Sequence, residues 1–275
     1  SWKGGRHKWF TWGPIDAPDR KMADHQTVGW ASYELMRERE KPLYLACGIF
    51  RPHMPWEVPQ KYFDLYPLDQ IPDLEIQEND LEDALVHGRR GWHKFVLENK
   101  QWKHVIQAYL ASISFADAQV GRLLDALEES GKANETIIVL WSDHGMHIGE
   151  KENWEKFTLW EESTHVPFFV KAPGIGKPGT VVTEPVSLLD VYPTLVDLAG
   201  LEIPDHCDGA SVVPLLKDPK ASRKHSALTS FTFSGDKTGH SLRGNRYRYI
   251  YYEWNHLEEL YDHQNDPNEF VNLAY

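Results

Sequence analysis

Cysteine is nearly absent: Cys47 and Cys207 are the only two in 275 residues. Neither stands in a Cys-x-x-Cys pattern, which argues against a disulfide framework and against a structural zinc site. Cys47 lies in an apolar run and reads as a small core residue. No stretch of about 18 consecutive apolar residues occurs, so no membrane-spanning helix is expected. No secretory leader, internal repeat or low-complexity tract is recognisable. Positive charge is also in short supply, with 29 Lys and Arg against 41 Asp and Glu and a formal net charge of −12. That balance argues against a nucleic-acid surface or a broad polyanion-binding face. A small anionic substrate is still compatible with it, because a few local Lys, Arg and His side chains can hold one.

What the chain does have is an ordinary globular composition, 41% hydrophobic and 25% charged, in a length that can bury a sizeable core. Residues 1–20 are rich in Trp, Gly and Pro and read as loop. Asp24–Glu40 has the period of an amphipathic helix that Lys41-Pro42 ends. Leu43–Phe50 (LYLACGIF) is a continuous apolar run that reads as a buried parallel strand. Arg51–Pro59 holds three prolines in nine residues and reads as a stiff extended loop presenting Arg51, His53 and Trp56. Residues 60–100 read as a polar surface excursion. Lys103–Ser130 is the strongest helix, with Ile106, Tyr109, Ile113, Ala116, Val120, Leu123 and Leu127 at spacings of three and four and Gly131 as its stop. Ile137–Trp141 and Val166–Lys171 read as strands, the first of them buried. Ser187–Ala199 reads as a helix, with Pro193 at a kink or in the first turn. Short runs at Ala227–Phe233, Tyr247–Tyr252 and Glu259–Tyr261 alternate with turn residues, as in an antiparallel sheet. The expected organisation is an α/β domain over residues 1–215 and a smaller β-rich subdomain over 216–275.

Chemistry collects after Trp141, where the apolar run breaks into Ser142-Asp143-His144-Gly145. In open α/β sheets, ligands gather at the carboxyl ends of strands. Asp143 and His144 offer one hard oxygen and one imidazole, half of a divalent-cation site, so further acidic ligands must come from elsewhere. His144-Gly-Met-His147 is not the zinc-protease HExxH pattern: the spacing differs and two glycines spoil the helix. Lys156, thirteen residues after Asp143, reads either as a snorkelling surface residue or as a fixed cation for an oxyanion.

The stretch SDHGMHIGEKENWEKFTLWEESTHVPFFVKAPG closely resembles a signature region of the sulfatase family, within the alkaline phosphatase superfamily. The likeness is greatest to the iduronate-2-sulfatase and choline-sulfatase type. GIFRPHMPWEVPQKYFDLYP resembles that family's strand and Pro-His-x-Pro loop. YLASISFADAQVGRLLDALEESG resembles its long helix. PVSLLDVYPTLVDLAGL, DGASVVPLL and ELYDHQNDPNEFVNLA resemble its later segments, in collinear order from about residue 22 to residue 275. The resemblance implies an alkaline-phosphatase-like α/β sheet flanked by helices, with a smaller C-terminal antiparallel β subdomain. It implies a metal-dependent sulfuric ester hydrolase acting on a sulfated glycan or another small organic sulfate. Asp143 and His144 match metal ligands, with calcium expected ahead of magnesium. Lys156 matches a lysine that contacts sulfate. His53 matches the loop histidine that lies against the sulfate and can protonate the departing alcohol. His147 matches a second histidine grouped with the catalytic residues.

Two departures stand beside these matches. The family's paired N-terminal aspartates and its Cys-x-Pro-Ser-Arg motif, whose Cys or Ser becomes formylglycine, are not recognisable. Cys47 precedes Gly-Ile-Phe-Arg and Cys207 precedes Asp-Gly-Ala-Ser. The expectation is a C-terminal portion whose nucleophile lies in a preceding segment, its partner in the complete site, so that this chain alone is inactive. The alternatives are a phosphoester or phosphonate hydrolase of the same superfamily, or a non-catalytic remnant that binds a sulfated sugar. The branch implies work in the periplasm, in the lysosome or outside the cell.

Overall fold

The computed structural model describes residues 5–7, 9–73, 75–85 and 90–275. The chain forms two compact units, Ser1–Leu74 with Arg90–Glu135, and Glu75–Arg89 with Thr136–Tyr275.

The first unit begins with strand where loop was expected. β1 (Gly5–His7) pairs antiparallel with β2 (Phe10–Ile15), and β2 pairs in parallel with β3 (Trp56–Pro59), Trp12 lying opposite Trp56. The proline-rich loop therefore ends in a strand, and Trp56 is buried in it rather than presented to solvent. The reason is aromatic packing. Phe10 stacks on Trp92 at 4.8 Å and meets Trp56 edge-on at 5.4 Å, burial that outweighs the weak strand propensity of a Gly-Pro segment. α1 (Ala23–Met36) packs on α4 (Trp102–Glu129), with short α2 (Gln60–Phe63) and α3 (Arg90–Glu98) beside it. The 60–100 stretch is thus not a polar excursion: Tyr62, Phe63, Ile71, Trp92 and Val96 are buried.

α4 starts and stops within a residue of expectation, and Gly131 follows it at φ +73°, the left-handed position where glycine is favoured after a helix. Its buried line differs in part. Ile106 and Leu127 are buried, but so are Val105, Ala108, Ala111 and Phe115, whereas Ile113 is exposed.

Leu43–Phe50 overturns the reading of a buried parallel strand. It forms no strand ladder among the described residues, and Leu43, Tyr44 and Phe50 are exposed. An apolar run is buried only when something covers it. Cys47, free and half-exposed, is likewise no core residue.

The second unit carries β4 (Ile138–Trp141), short α5 (Glu161–Thr164) and β5 (Phe168–Lys171). β4 pairs antiparallel with β5, and Leu140 and Trp141 are exposed. The strand is where it was expected, but it is not buried. A single 3-10 turn then leads into α6 (Val191–Leu198), with Pro193 in its first turn, and α7 (Val213–Lys217) follows. The expected C-terminal antiparallel sheet is the meander β6 (Ala227–Ser234), β7 (Lys237–Arg243), β8 (Tyr247–Tyr252) and β9 (Leu257–Asp262). One face packs Phe231, Phe233, Ile250, Tyr252 and Tyr261 on Leu159 and Trp160.

Candidate active site

Asp143 and His144 stand just beyond the C-terminal end of β4. The Ser142 hydroxyl donates to the His144 carbonyl at 2.8 Å, and the Gly145 N–H donates to the Ser163 carbonyl at 2.8 Å. Gly145 is needed here because a Cβ would collide with the Glu162 carbonyl. The chain then doubles back. The His147 and Gly149 N–H groups each donate at 2.9 Å, to the carbonyls of Glu155 and Asn153. This fixes the loop on which Lys156 sits.

His144 Nδ1 lies 2.8 Å from the Gly145 carbonyl, so Nδ1 carries the proton that bridges them. Nε2 is left for another partner and lies 3.7 Å from Asp143 Oδ2. An imidazole oriented through its second nitrogen by a backbone carbonyl, beside an exposed carboxylate, suits a metal ligand pair. The donor set fits one edge of a cation's coordination shell. Lys156 is half-buried, with its Nζ 5.2 Å from the centre of the Phe157 ring.

His147 is placed differently from the other candidates. It is 0% exposed, a position from which it secures the loop rather than reaching a ligand. The Thr158 hydroxyl donates to Ser163 Oγ at 2.8 Å, which leaves its oxygen to accept from His147 Nε2 at 2.8 Å. Burial holds the His147 ring neutral, with its pKa lowered to about 3. Burial and the Glu269 charge push the Glu162 carboxyl up to about 8.

A group of ionisable side chains invisible to sequence reading braces this loop from beneath. Arg248, 1% exposed, donates to Glu269 Oε1 at 2.6 Å, to the Leu159 carbonyl at 3.1 Å and to Ser241 Oγ at 2.7 Å, and pairs with Glu161. His263 Nε2 lies 2.8 Å from Glu269 Oε1. Glu161, His263 and Glu269 could by spacing surround a metal ion. Arg248 and Arg243 already neutralise them: burial pushes the Glu161 carboxyl up, and the two guanidiniums more than offset it. The trio is a structural ion network. Its members lie in two of the stretches quoted above, Glu161 in the first and His263 and Glu269 in the terminal ELYDHQNDPNE, and nothing in the sequence joins them.

His53 belongs to the first unit. Its ring packs on Phe50 at 4.7 Å between centroids, and its Nδ1 lies 2.7 Å from the Met54 carbonyl. The loop is tied at its far end by Trp56 Nε1, which donates to the Pro52 carbonyl at 2.7 Å. Trp56 and Trp154 are both 0% exposed, so neither ring offers a face on which a sugar could stack.

The fold has relatives among enzymes that cleave esters of oxyacids. A phosphonate monoester hydrolase from Silicibacter pomeroyi superposes with a TM-score of 0.81 at 23% identity, over 95% of this chain and 57% of that one. A structure solved in complex with D-glucosamine-2-N,6-O-disulfate superposes at 0.69 with 20% identity, over 90% of this chain and 65% of that one. A model of the sulfatase family matches residues 10–201, and a model of the C-terminal part of N-sulphoglucosamine sulphohydrolase matches residues 149–275. The chain belongs to the sulfatase family. It is similar to a sulfatase of Formosa agariphila, 40% identical over 270 residues, which make up 96% of this chain and 52% of that protein. It is also similar to the choline-sulfatase of Rhizobium meliloti, 32% identical over 255 residues (88% and 49%). Human iduronate 2-sulfatase is 31% identical over 257 residues (77% and 46%). The chain spans about half the length of these relatives.

Proposed function

We propose that the protein is a metal-dependent sulfuric ester hydrolase acting on a sulfated glycan or a related small organic sulfate. The observation that carries this reading is the Asp143–His144 pair, with the imidazole turned by the Gly145 carbonyl so that Nε2 faces the carboxylate. The family match, and a fold neighbour holding a disulfated glucosamine, support the substrate class.

Asp143 and His144 would hold a divalent cation, calcium ahead of magnesium, together with further oxygen ligands; when bound it supplies Lewis-acid stabilisation of negative charge. The Lys156 ammonium offsets charge building on the non-bridging sulfate oxygens. In His53, Nδ1–H is committed to the Met54 carbonyl, so Nε2 is the atom that carries and delivers a proton to the departing alcohol oxygen. His147 keeps the loop in place. The formylglycine nucleophile that the resemblance implies is assigned to no residue of this chain. The periplasm, the lysosome or the cell exterior is the proposed setting; no helix among the described residues is long and apolar enough to cross a membrane.

The test is Lys156→Ala in the protein expressed from its complete coding sequence, assayed on aryl sulfates and aryl phosphonate monoesters. Loss of one oxyanion contact should lower turnover of the sulfate about 10²–10³-fold. An unchanged rate removes Lys156 from the site, and a preference for the phosphonate replaces the sulfatase reading with that of a phosphonate hydrolase.

A further inference from the structure

The segment that delivers His53 is held by a carboxylate 26 residues earlier in the chain. Asp24, in the first turn of α1, is 5% exposed. Its Oδ1 accepts the Phe50 N–H at 2.9 Å and its Oδ2 accepts the Arg51 N–H at 3.1 Å. Both oxygens of a buried carboxylate are thus spent on two consecutive backbone donors. Such bonds are about twice as strong as those between neutral groups. They matter here because Leu43–Phe50 has no strand ladder among the described residues. Immediately after the clamp, the His53 N–H donates to the Phe50 carbonyl at 3.0 Å and the Phe50 ring packs on the imidazole. The backbone that Asp24 fixes is therefore the backbone that sets the His53 ring.

We propose that Asp24 is a positioning residue for His53, clamping the Phe50 and Arg51 amides so that the imidazole stands where it can deliver its proton. The catalytic half of this proposal rests on the sulfatase reading; the clamp does not.

Asp24→Asn keeps the size but turns one acceptor into a donor facing an N–H. Two readouts apply, both on the protein from its complete coding sequence. In hydrogen exchange, the Phe50 and Arg51 amides should exchange roughly ten- to hundredfold faster, while β2 and α4 keep their protection. In kinetics, kcat on an alkyl sulfate with a poor leaving group should fall roughly ten- to hundredfold with KM little changed. On 4-nitrophenyl sulfate, whose leaving group needs no acid, the loss should be much smaller. On a His53→Ala background, Asp24→Asn should cost nothing further in kcat. Unaltered exchange at both amides overturns the proposal. So does an equal loss on the two esters, or a full loss that persists without His53. If the amides are released but the wild-type protein cleaves no sulfate ester, the clamp stands and the sulfatase reading falls. Should Asp24→Asn not fold, Asp24→Glu, which keeps the charge but moves it by one methylene, is read the same way.

Discussion

His147 Nδ1 lies 3.8 Å from Glu162 Oε2, and neither atom makes a hydrogen bond among the described residues. Because His147 Nε2 donates to Thr158, Nδ1 presents a lone pair, and the partner that suits a lone pair is a protonated carboxyl. The directions of both shifts agree with that arrangement, a neutral imidazole beside a neutral acid.

Stability should therefore fall as pH rises above neutrality. Glu162 has a folded pKa raised from 4.5 to about 8, so the native state holds a proton that the unfolded chain gives up, and stability drains between those values. His147, lowered from 6.5 to about 3, acts in the opposite sense: its penalty grows as pH falls below 6.5. The two slopes cancel between about pH 4.5 and 6.5, leaving the Glu162 loss exposed from about 6.5 to 8, at up to about 1.4 kcal/mol per pH unit. Glu162→Gln should flatten that decline in a series of thermal melts. A wild-type Tm that holds level from pH 6.5 to 8 would count against the buried acid.

Gly145→Ala should loosen the loop. The added methyl meets the Glu162 carbonyl, a backbone atom that cannot swing away. A cost of about 1–3 kcal/mol in urea unfolding is expected, together with a loss of sulfate-ester turnover larger than the stability change alone explains.

Arg248→Leu should be among the most damaging single changes. It strands the fully buried Glu269, which loses its guanidinium partner, and leaves Glu161 with Arg243 alone. About 3–5 kcal/mol of destabilisation is expected from breaking such a pair. Chemical denaturation of the variant checks it; a loss below about 1 kcal/mol would mean that water or His263 can replace the arginine.

Asp143→Asn should weaken calcium binding by at least about tenfold, measured by titration calorimetry on the protein from its complete coding sequence. Unchanged affinity would take Asp143 out of the proposed metal site.

Periodicity revealed α4, which repeats one pattern over many residues, and short runs set between turn residues revealed three strands of the C-terminal meander. The break from Trp141 to Ser142-Asp143-His144 marked the end of β4. What stayed hidden depends on distant partners. Phe10 and Trp12 read as loop because nothing nearby announces the rings they meet, Trp92 and Trp56 for Phe10 and Phe95 for Trp12. Leu43–Phe50 misled for the opposite reason, since hydrophobicity implies cover only where cover exists. Asp24 looked like one more polar residue opening a helix, and its use is settled by two amides at residues 50 and 51. His147 was grouped with the catalytic residues by resemblance, and only its burial against Thr158 and Glu162 separates it from them.

The brace beneath the loop also has a consequence for biosynthesis. The Glu161 N–H is satisfied by Glu269 Oε2, 108 residues later, at 2.9 Å. At about 5–20 residues per second, a ribosome needs roughly 5–20 s to make that stretch. Throughout this interval the segment carrying Asp143, His144 and Lys156 has been made but lacks Glu269, the carboxylate that also holds Arg248. The loop's final form therefore waits on a residue made 108 positions after Glu161, and a nascent chain stalled before Glu269 would display an unfinished loop.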